Sequence, residues 1–338
     1  MSVTFSYALA LIVAFAVTLV LVPPVSRLAV RLGLLDRPKP DRFHRETTPY
    51  LGGVAVAGGV ISVGVFAAGM SAQVTAILGC GVVLAALGLV DDWRTVGPVP
   101  KLLVQLAAGF ALWFAGVRAE FFGVALFDLA LTVAWVVVVT NAVNLIDNMD
   151  GLACGAAAIS ALTLFAIVAW RGNAAVGCLA LAVAGASLGL LRYNFPPARV
   201  FLGDTGTLLL GFLLAAIALQ VDLVGSSRVV SAAVPVLALG VPLFDTALVV
   251  VARVREARPP YVGGTDHTSH RLVALGLSSR QVALLTYAAQ LGCSTVALLL
   301  VCVPQSVGLA GVFGVGLVAG MALVRFLALP YRSEPRPA

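Results

Sequence analysis

Long apolar stretches alternate with short polar segments along all 338 residues of the chain. A helix needs about 20 mainly apolar residues to cross a bilayer. Stretches of that kind lie near 5–26, 51–70, 73–90, 101–117, 124–143, 152–170, 174–191, 204–221, 229–252, 280–302 and 305–328. The pattern predicts an all-α, polytopic integral membrane protein of ten or eleven spans, forming a single transmembrane domain over 1–338. No basic residue precedes the first stretch and no small-residue cleavage site follows it, so it reads as a retained helix. No convincing internal repeat is visible, which weakens an inverted-repeat transporter reading.

Composition agrees. Hydrophobic residues make up 61% of the chain and charged ones 11%, whereas a soluble domain is roughly half apolar and about a quarter charged. So few ionisable groups cannot cover the surface of a soluble protein of this size. The net charge of +6 raises nucleic acid as a partner. No basic stripe with interleaved aromatics supports it, and no nucleic acid is expected. None of the five cysteines sits in a C-x-x-C pair and four lie in strongly apolar stretches, where they read as small core residues. The 34 glycines permit close helix packing; they leave a homodimer open without naming its face.

The charges fall on one side. Loops near 27–50, 91–101, 141–151, 192–203, 253–280 and 325–338 hold all of the 21 lysines and arginines except Arg118, Arg171 and Arg228. Positively charged loops stay in the cytoplasm. This predicts a multi-pass protein of the inner (plasma) membrane, with its N-terminus outside and its C-terminus inside. All three histidines share that side, as do all of the 15 acidic residues except Glu120, Asp128 and Asp222. The chemistry is expected at the cytoplasmic face, in loops near 36–53, 91–101, 141–152, 192–207 and 253–272.

Five segments carry it. Asp91-Asp92 ends the third stretch, with Lys101 where the next begins. Ionisable groups so close to hydrocarbon need partners or a job. The pair reads as a solvated helix end, a metal site, or a base with a partner carboxylate. Lys101 reads as a snorkelling anchor or a phosphate ligand. Residues 141–152, NAVNLIDNMDGL, place Asn141, Asn144 and Asn148 at helical spacing beside Asp147 and Asp150. A plain turn needs far fewer amides and acids. In 192–211, Asp204 stands between Gly203 and Thr205 at a span entrance, where an N-cap or a Mg²⁺ and phosphate site would look alike. Asp245 lies inside the ninth stretch, where Pro235 and Pro242 predict a break. It is followed by Asp266, His267, Thr268, Ser269, His270 and Arg271. A basic loop containing His44 ends in Gly52-Gly53. Oxygen-rich surroundings favour Mg²⁺ over zinc, and the inventory suits a Mg²⁺-bound pyrophosphate at a membrane surface.

In this order the segments resemble the polyprenyl-phosphate N-acetylhexosamine-1-phosphate transferases (the WecA/TagO/MraY type), over roughly residues 30–275. The resemblance implies a Mg²⁺-dependent enzyme, with Mn²⁺ as a substitute. Its partners are a UDP-N-acetyl sugar, most of all UDP-N-acetylglucosamine, and a polyprenyl (undecaprenyl) phosphate. The products are UMP and the lipid-linked first intermediate of a cell-envelope glycan. By resemblance Asp91 activates the lipid phosphate, or is the nucleophile of a two-step version, with Asp92 supporting the metal and Lys101 near the phosphates. Asn144, Asp147 and Asp150 match the N-x-x-D-x-x-D-G-L loop that meets the nucleotide. Asn194 and Asp204 match an Asn and a Gly-Asp pair, Asp204 being the direct metal ligand. Phe201 resembles an aromatic near the uracil, and His267, His270 and Arg271 end a histidine motif. His44 and Asp245 are counted with the substrate-binding residues. Two positions depart from the pattern: Ser269 replaces the middle histidine of H-x-H-H, and Asn148 the first glycine of D-G-x-D-G. The three-histidine run of the muramyl-pentapeptide branch is absent. That branch is the alternative, followed by a membrane transporter.

Overall fold

In a computed structural model, the protein is described over residues 3–36, 47–68, 71–221, 227–259, 261 and 263–330. Ten of the predicted stretches correspond to one helix each and the ninth to two. They are α1 (Val3–Leu32), α2 (Gly52–Ala68), α3 (Ala72–Trp93), α4 (Pro98–Phe114), α5 (Ala125–Ile146), α6 (Leu152–Trp170), α7 (Ala174–Asn194), α8 (Gly203–Ala218), α9 (Arg228–Ala238), α10 (Gly240–Arg255), α12 (Ser279–Cys302) and α13 (Gln305–Ala328). A short α11 (Thr268–Ala274) carries the histidine segment. A two-residue antiparallel ladder, β1 (Leu35–Asp36) with β2 (Thr48–Pro49), is the only strand pairing among the described residues. Seven of the described helices are long and apolar enough to cross a bilayer, or eight if α9 and α10 form one span. Helices α4 and α8, and α2 as far as Val65, are apolar but shorter. The protein is an all-α, multi-pass membrane protein.

Helix α1 runs past the expected end at 26, through Pro23 and Pro24, and stops at Gly33, whose φ is 72°. At the centre lies α7, packed against α1, α2 and α6. Its alternation of Ala, Gly and Leu lets backbones approach, as small residues do between helices in lipid. A Cβ on Gly185 would sit 2.4 Å from Leu11 O of α1, and one on Gly189 2.8 Å from Phe15 O. Packing is equally close where the site forms. A Cβ on Gly53 would come within 2.2 Å of Gly206 N, and one on Gly88 within 2.3 Å of Asp204 O. These glycines bring the starts of α2 and α8 and the end of α3 together. The contact is stitched by Gly52 N to Phe201 O (2.9 Å) and Gly53 N to Leu202 O (2.8 Å).

The ninth stretch breaks at Leu239, where α9 and α10 meet at 87°. A break leaves backbone groups that lipid cannot satisfy, so a neighbouring helix must do so. Gln290 of α12 does this. Fully buried, it accepts from Val241 N at 3.1 Å and donates to Ala238 O at 2.9 Å.

Candidate active site

The site forms where α3 ends, α4 and α8 begin, and α5 runs into the 147–151 turn. Lys101 Nζ donates to Asp91 Oδ2 at 2.7 Å and to Asp204 Oδ2 at 2.6 Å. Two aspartates from different helices thus share one ammonium, at 13% and 25% side-chain exposure. Asp91 Oδ1 also accepts from Val96 N at 2.5 Å. Asn144 Nδ2 donates to Asp204 Oδ1 at 3.1 Å and to Thr207 Oγ1 at 2.8 Å, fixing the rotation of the Asp204 carboxylate.

Asp92 acts differently from its neighbour. Its carboxylate accepts from Asp204 N (2.7 Å), Thr205 N (3.0 Å) and Thr205 Oγ1 (2.6 Å). The first residues of α8 have no side-chain cap of their own. Asp92 supplies that cap from α3, placing a negative charge where the helix dipole favours one. Gly203, with φ of 69°, gives the carboxylate room.

A cavity of about 410 Å³ opens beside these groups, lined by Asp91, Asp92, Asp204, Asp147, Asp150, Asn194 and Phe201, among others. Asp150 Oδ2 accepts from Ala198 N at 2.8 Å. Buried Asn194 accepts from Gly151 N at 3.0 Å and donates to Val200 O at 3.0 Å. It ties the two polar loops of the cavity to each other. Asp36, Tyr50 and Thr95 also line the wall. Tyr50 lies 6.0 Å from Phe201 between ring centroids, and the signal for it is its place beside the glycine pair. Nothing in the residue pattern singles out Asp36, which reaches the wall through the β1–β2 ladder.

Other expected residues gather elsewhere. Of the asparagines at helical spacing, Asn141 donates to Gln105 at 2.6 Å, and Asn148 lies beyond the end of α5. The shared face is thus reduced to Asn144 at the Asp204 centre. Asp245 and the histidine segment form a second network, outside the cavity lining. Fully buried Asp245 contacts His267 Nδ1 at 2.7 Å and accepts from Thr268 N and Oγ1 at 2.7 Å each. The rings of His267 and His270 are 5.5 Å apart. Arg271, 1% exposed, donates to three backbone carbonyls: Asp266 O at 3.0 Å, Phe326 O at 2.9 Å and Leu329 O at 2.8 Å. It holds the end of α13 and lines no part of the cavity. Asp266 bonds Arg253 Nε at 2.9 Å and also Arg258. Burial pushes the Asp266 carboxyl up, but the two guanidiniums outweigh it and hold it below the usual carboxylate range. His44 lies outside the described residues.

Among the described residues no three acidic, histidine or cysteine groups form a ready metal cage. Mg²⁺ seldom needs one, since it takes one or two carboxylates and completes its octahedron with water and substrate phosphates. Asp91 and Asp204, brought to one ammonium at the cavity wall, suit a cation shared in that way.

Residues 74–222 match the sequence pattern of glycosyl transferase family 4. A probable undecaprenyl-phosphate N-acetylglucosaminyl 1-phosphate transferase of Bacillus subtilis (strain 168) is 36% identical over 289 residues, covering 82% of this chain and 80% of that one. The chain belongs to glycosyl transferase family 4. Within the family it also resembles the decaprenyl-phosphate N-acetylglucosaminephosphotransferase of Mycobacterium tuberculosis (strain H37Rv), 31% identical over 78% of this chain and 75% of that one. The undecaprenyl-phosphate alpha-N-acetylglucosaminyl 1-phosphate transferase of Escherichia coli (strain K12) is 26% identical over 78% and 76%. In this family 4 chain the matched region runs from the first turn of α3 through α8, and contains Asp91, Asp92, Lys101, Asn144 and Asp204.

Proposed function

We propose that this chain transfers N-acetylglucosamine 1-phosphate from UDP-N-acetylglucosamine to a polyprenyl phosphate, releasing UMP. The observation that carries the reading is the Asp91–Lys101–Asp204 triangle on the wall of a polar cavity. The names of the relatives support the same donor and acceptor. A transporter is disfavoured because the ionisable groups gather at one end of the helices rather than at mid-depth.

In this reading an oxygen of the lipid phosphate attacks the β-phosphorus in line. The bond from that phosphorus to the oxygen of the α-phosphate breaks, and UMP leaves. Asp204 and Asp91 would hold Mg²⁺ or Mn²⁺, which neutralises phosphate charge when bound. Lys101 exchanges a carboxylate for a phosphate oxygen as substrate enters. Asn144 and Asp92 keep Asp204 in place before anything binds, so that little reorganisation remains for the reaction itself. Both Asp91 oxygens already accept hydrogen bonds. That weakens Asp91 as a nucleophile and favours direct displacement, with Asp91 acting on the lipid phosphate through the cation it would hold. The excess of basic residues at this end of the bundle supports a site facing the cytoplasm at the plasma membrane, in a chain of ten or eleven crossings with its N-terminus outside.

The test is release of UMP from radiolabelled UDP-N-acetylglucosamine by purified protein with Mg²⁺ and a polyprenyl phosphate. No release from any UDP-N-acetyl sugar would sink the reading.

A further inference from the structure

The two positions at which this chain departs from the pattern it resembles touch each other. Ser269 Oγ, 121 residues away in sequence, bonds Asn148 Oδ1. The orientation of the amide is fixed from its other end, because Asn148 Nδ2 donates to Leu145 O at 2.9 Å, near the end of α5. Its oxygen therefore faces α11 and the serine hydroxyl is the donor. Ser269 is 1% exposed, whereas Asn148 lines the cavity with Asp147 and Asp150. Beside Ser269 stand His267, anchored on Asp245 at 2.7 Å, and His270, whose Nδ1 lies 3.4 Å from the Ser269 hydroxyl. The bond thus joins the cavity loop to the histidine segment and touches neither Asp91 nor Asp204.

We propose that Asn148 and Ser269 are a positioning pair that sets the register between the cavity loop and the two histidines, and through it the grip on the UDP-sugar. The inference rests on the function proposed above. The UDP-sugar is singled out because everything the pair aligns is polar, as its nucleotide and diphosphate are. Because Ser269 Oγ already reaches Asn148 Oδ1, a histidine at 269 needs the room that a glycine at 148 would leave, which makes the two positions interdependent in size.

The test is steady-state kinetics on the full-length protein with UDP-N-acetylglucosamine and a polyprenyl phosphate, each varied in turn. Asn148→Ala and Ser269→Ala are each expected to raise KM for the UDP-sugar about fivefold, the worth of one net hydrogen bond. The turnover number and the KM of the lipid stay near the parent values. The double alanine variant should be no worse than the weaker single, because the second change has no bond left to remove. Ser269→Thr, which keeps the hydroxyl, should retain the parent KM. Effects that multiply in the double variant, or that fall equally on both substrates, overturn the pair. If the alanine variants do not fold, Asn148→Gly with Ser269→His decides. A KM closer to the parent than that of either single supports the pair, and one no closer refutes it. A parent inert towards every UDP-N-acetyl sugar removes the underlying reading, whereas an active parent with additive variants removes only this inference.

Discussion

Asp92→Ala separates two roles that a carboxylate beside Asp91 can play. In the structure Asp92 caps α8 through two backbone N–H groups and the Thr205 hydroxyl. Losing a capping side chain costs about 0.5–2 kcal/mol. This cap is a carboxylate, whose hydrogen bonds are worth more than those of neutral groups, so a loss of about 2 kcal/mol is expected. The cost falls on the first turn of α8, which carries Asp204, and a displacement of about 1 Å there is worth up to about a hundredfold in rate. The assay pairs thermal unfolding in detergent with turnover measured across a Mg²⁺ titration. The variant should melt earlier and turn over slowly, and any rise in the Mg²⁺ concentration for half-maximal rate, passed on through the displaced Asp204, should come only together with the lower melting temperature. An unchanged melting curve with a large shift in Mg²⁺ requirement would refute the cap and make Asp92 a metal ligand.

Three further outcomes follow from the geometry. Asp204→Asn turns an amide towards Lys101 and Asn144, both donors, and removes a proposed metal contact; activity should fall by at least about a hundredfold, and near-normal turnover refutes the role. Gln290→Leu leaves Ala238 O and Val241 N without partners at the 87° bend; a loss of about 1–3 kcal/mol in unfolding measurements is expected, and a variant as stable as the parent would show that the break satisfies itself. Asp266→Asn leaves the buried Arg253 short of its ion pair, a loss of about 3 kcal/mol at neutral pH. Because the Asp266 carboxyl is held below its usual value, its contribution is complete above about pH 4 and fades as pH falls through the lowered value. The stability gap between parent and variant should therefore close in acid, and a gap that stays constant to about pH 2 argues against the charge.

Much of the architecture was legible because lipid imposes a simple rule on sequence. Apolar runs of spanning length became helices, and Pro235 and Pro242 foretold the break. Residues whose meaning depends on partners far along the chain were harder to read. Helical spacing groups Asn148 with Asn141 and Asn144, but α5 ends at Ile146 and the period stops there. Arg271 is read by resemblance as the end of a histidine motif, and nothing in the sequence shows that its guanidinium meets carbonyls 55 and 58 residues away. Asp91 and Asp92 were legible as a pair but not as opposites, one facing an ammonium and the other a helix terminus. Gln290 carries no signal in the sequence, because one amide in an apolar run has no meaning until the helix opposite it bends.

The hold of Arg271 on α13 has a consequence for how that helix changes over time. Only 6% of the most apolar window of α13 is buried within the protein, so its flanks are open to the surrounding lipid. The arginine grips the carbonyls of Phe326 and Leu329, atoms that every residue possesses. The attachment is therefore indifferent to which side chains α13 carries. Most of its apolar residues can be exchanged for others without loosening it, while a chain cut short before Phe326 would lose both carbonyls at once.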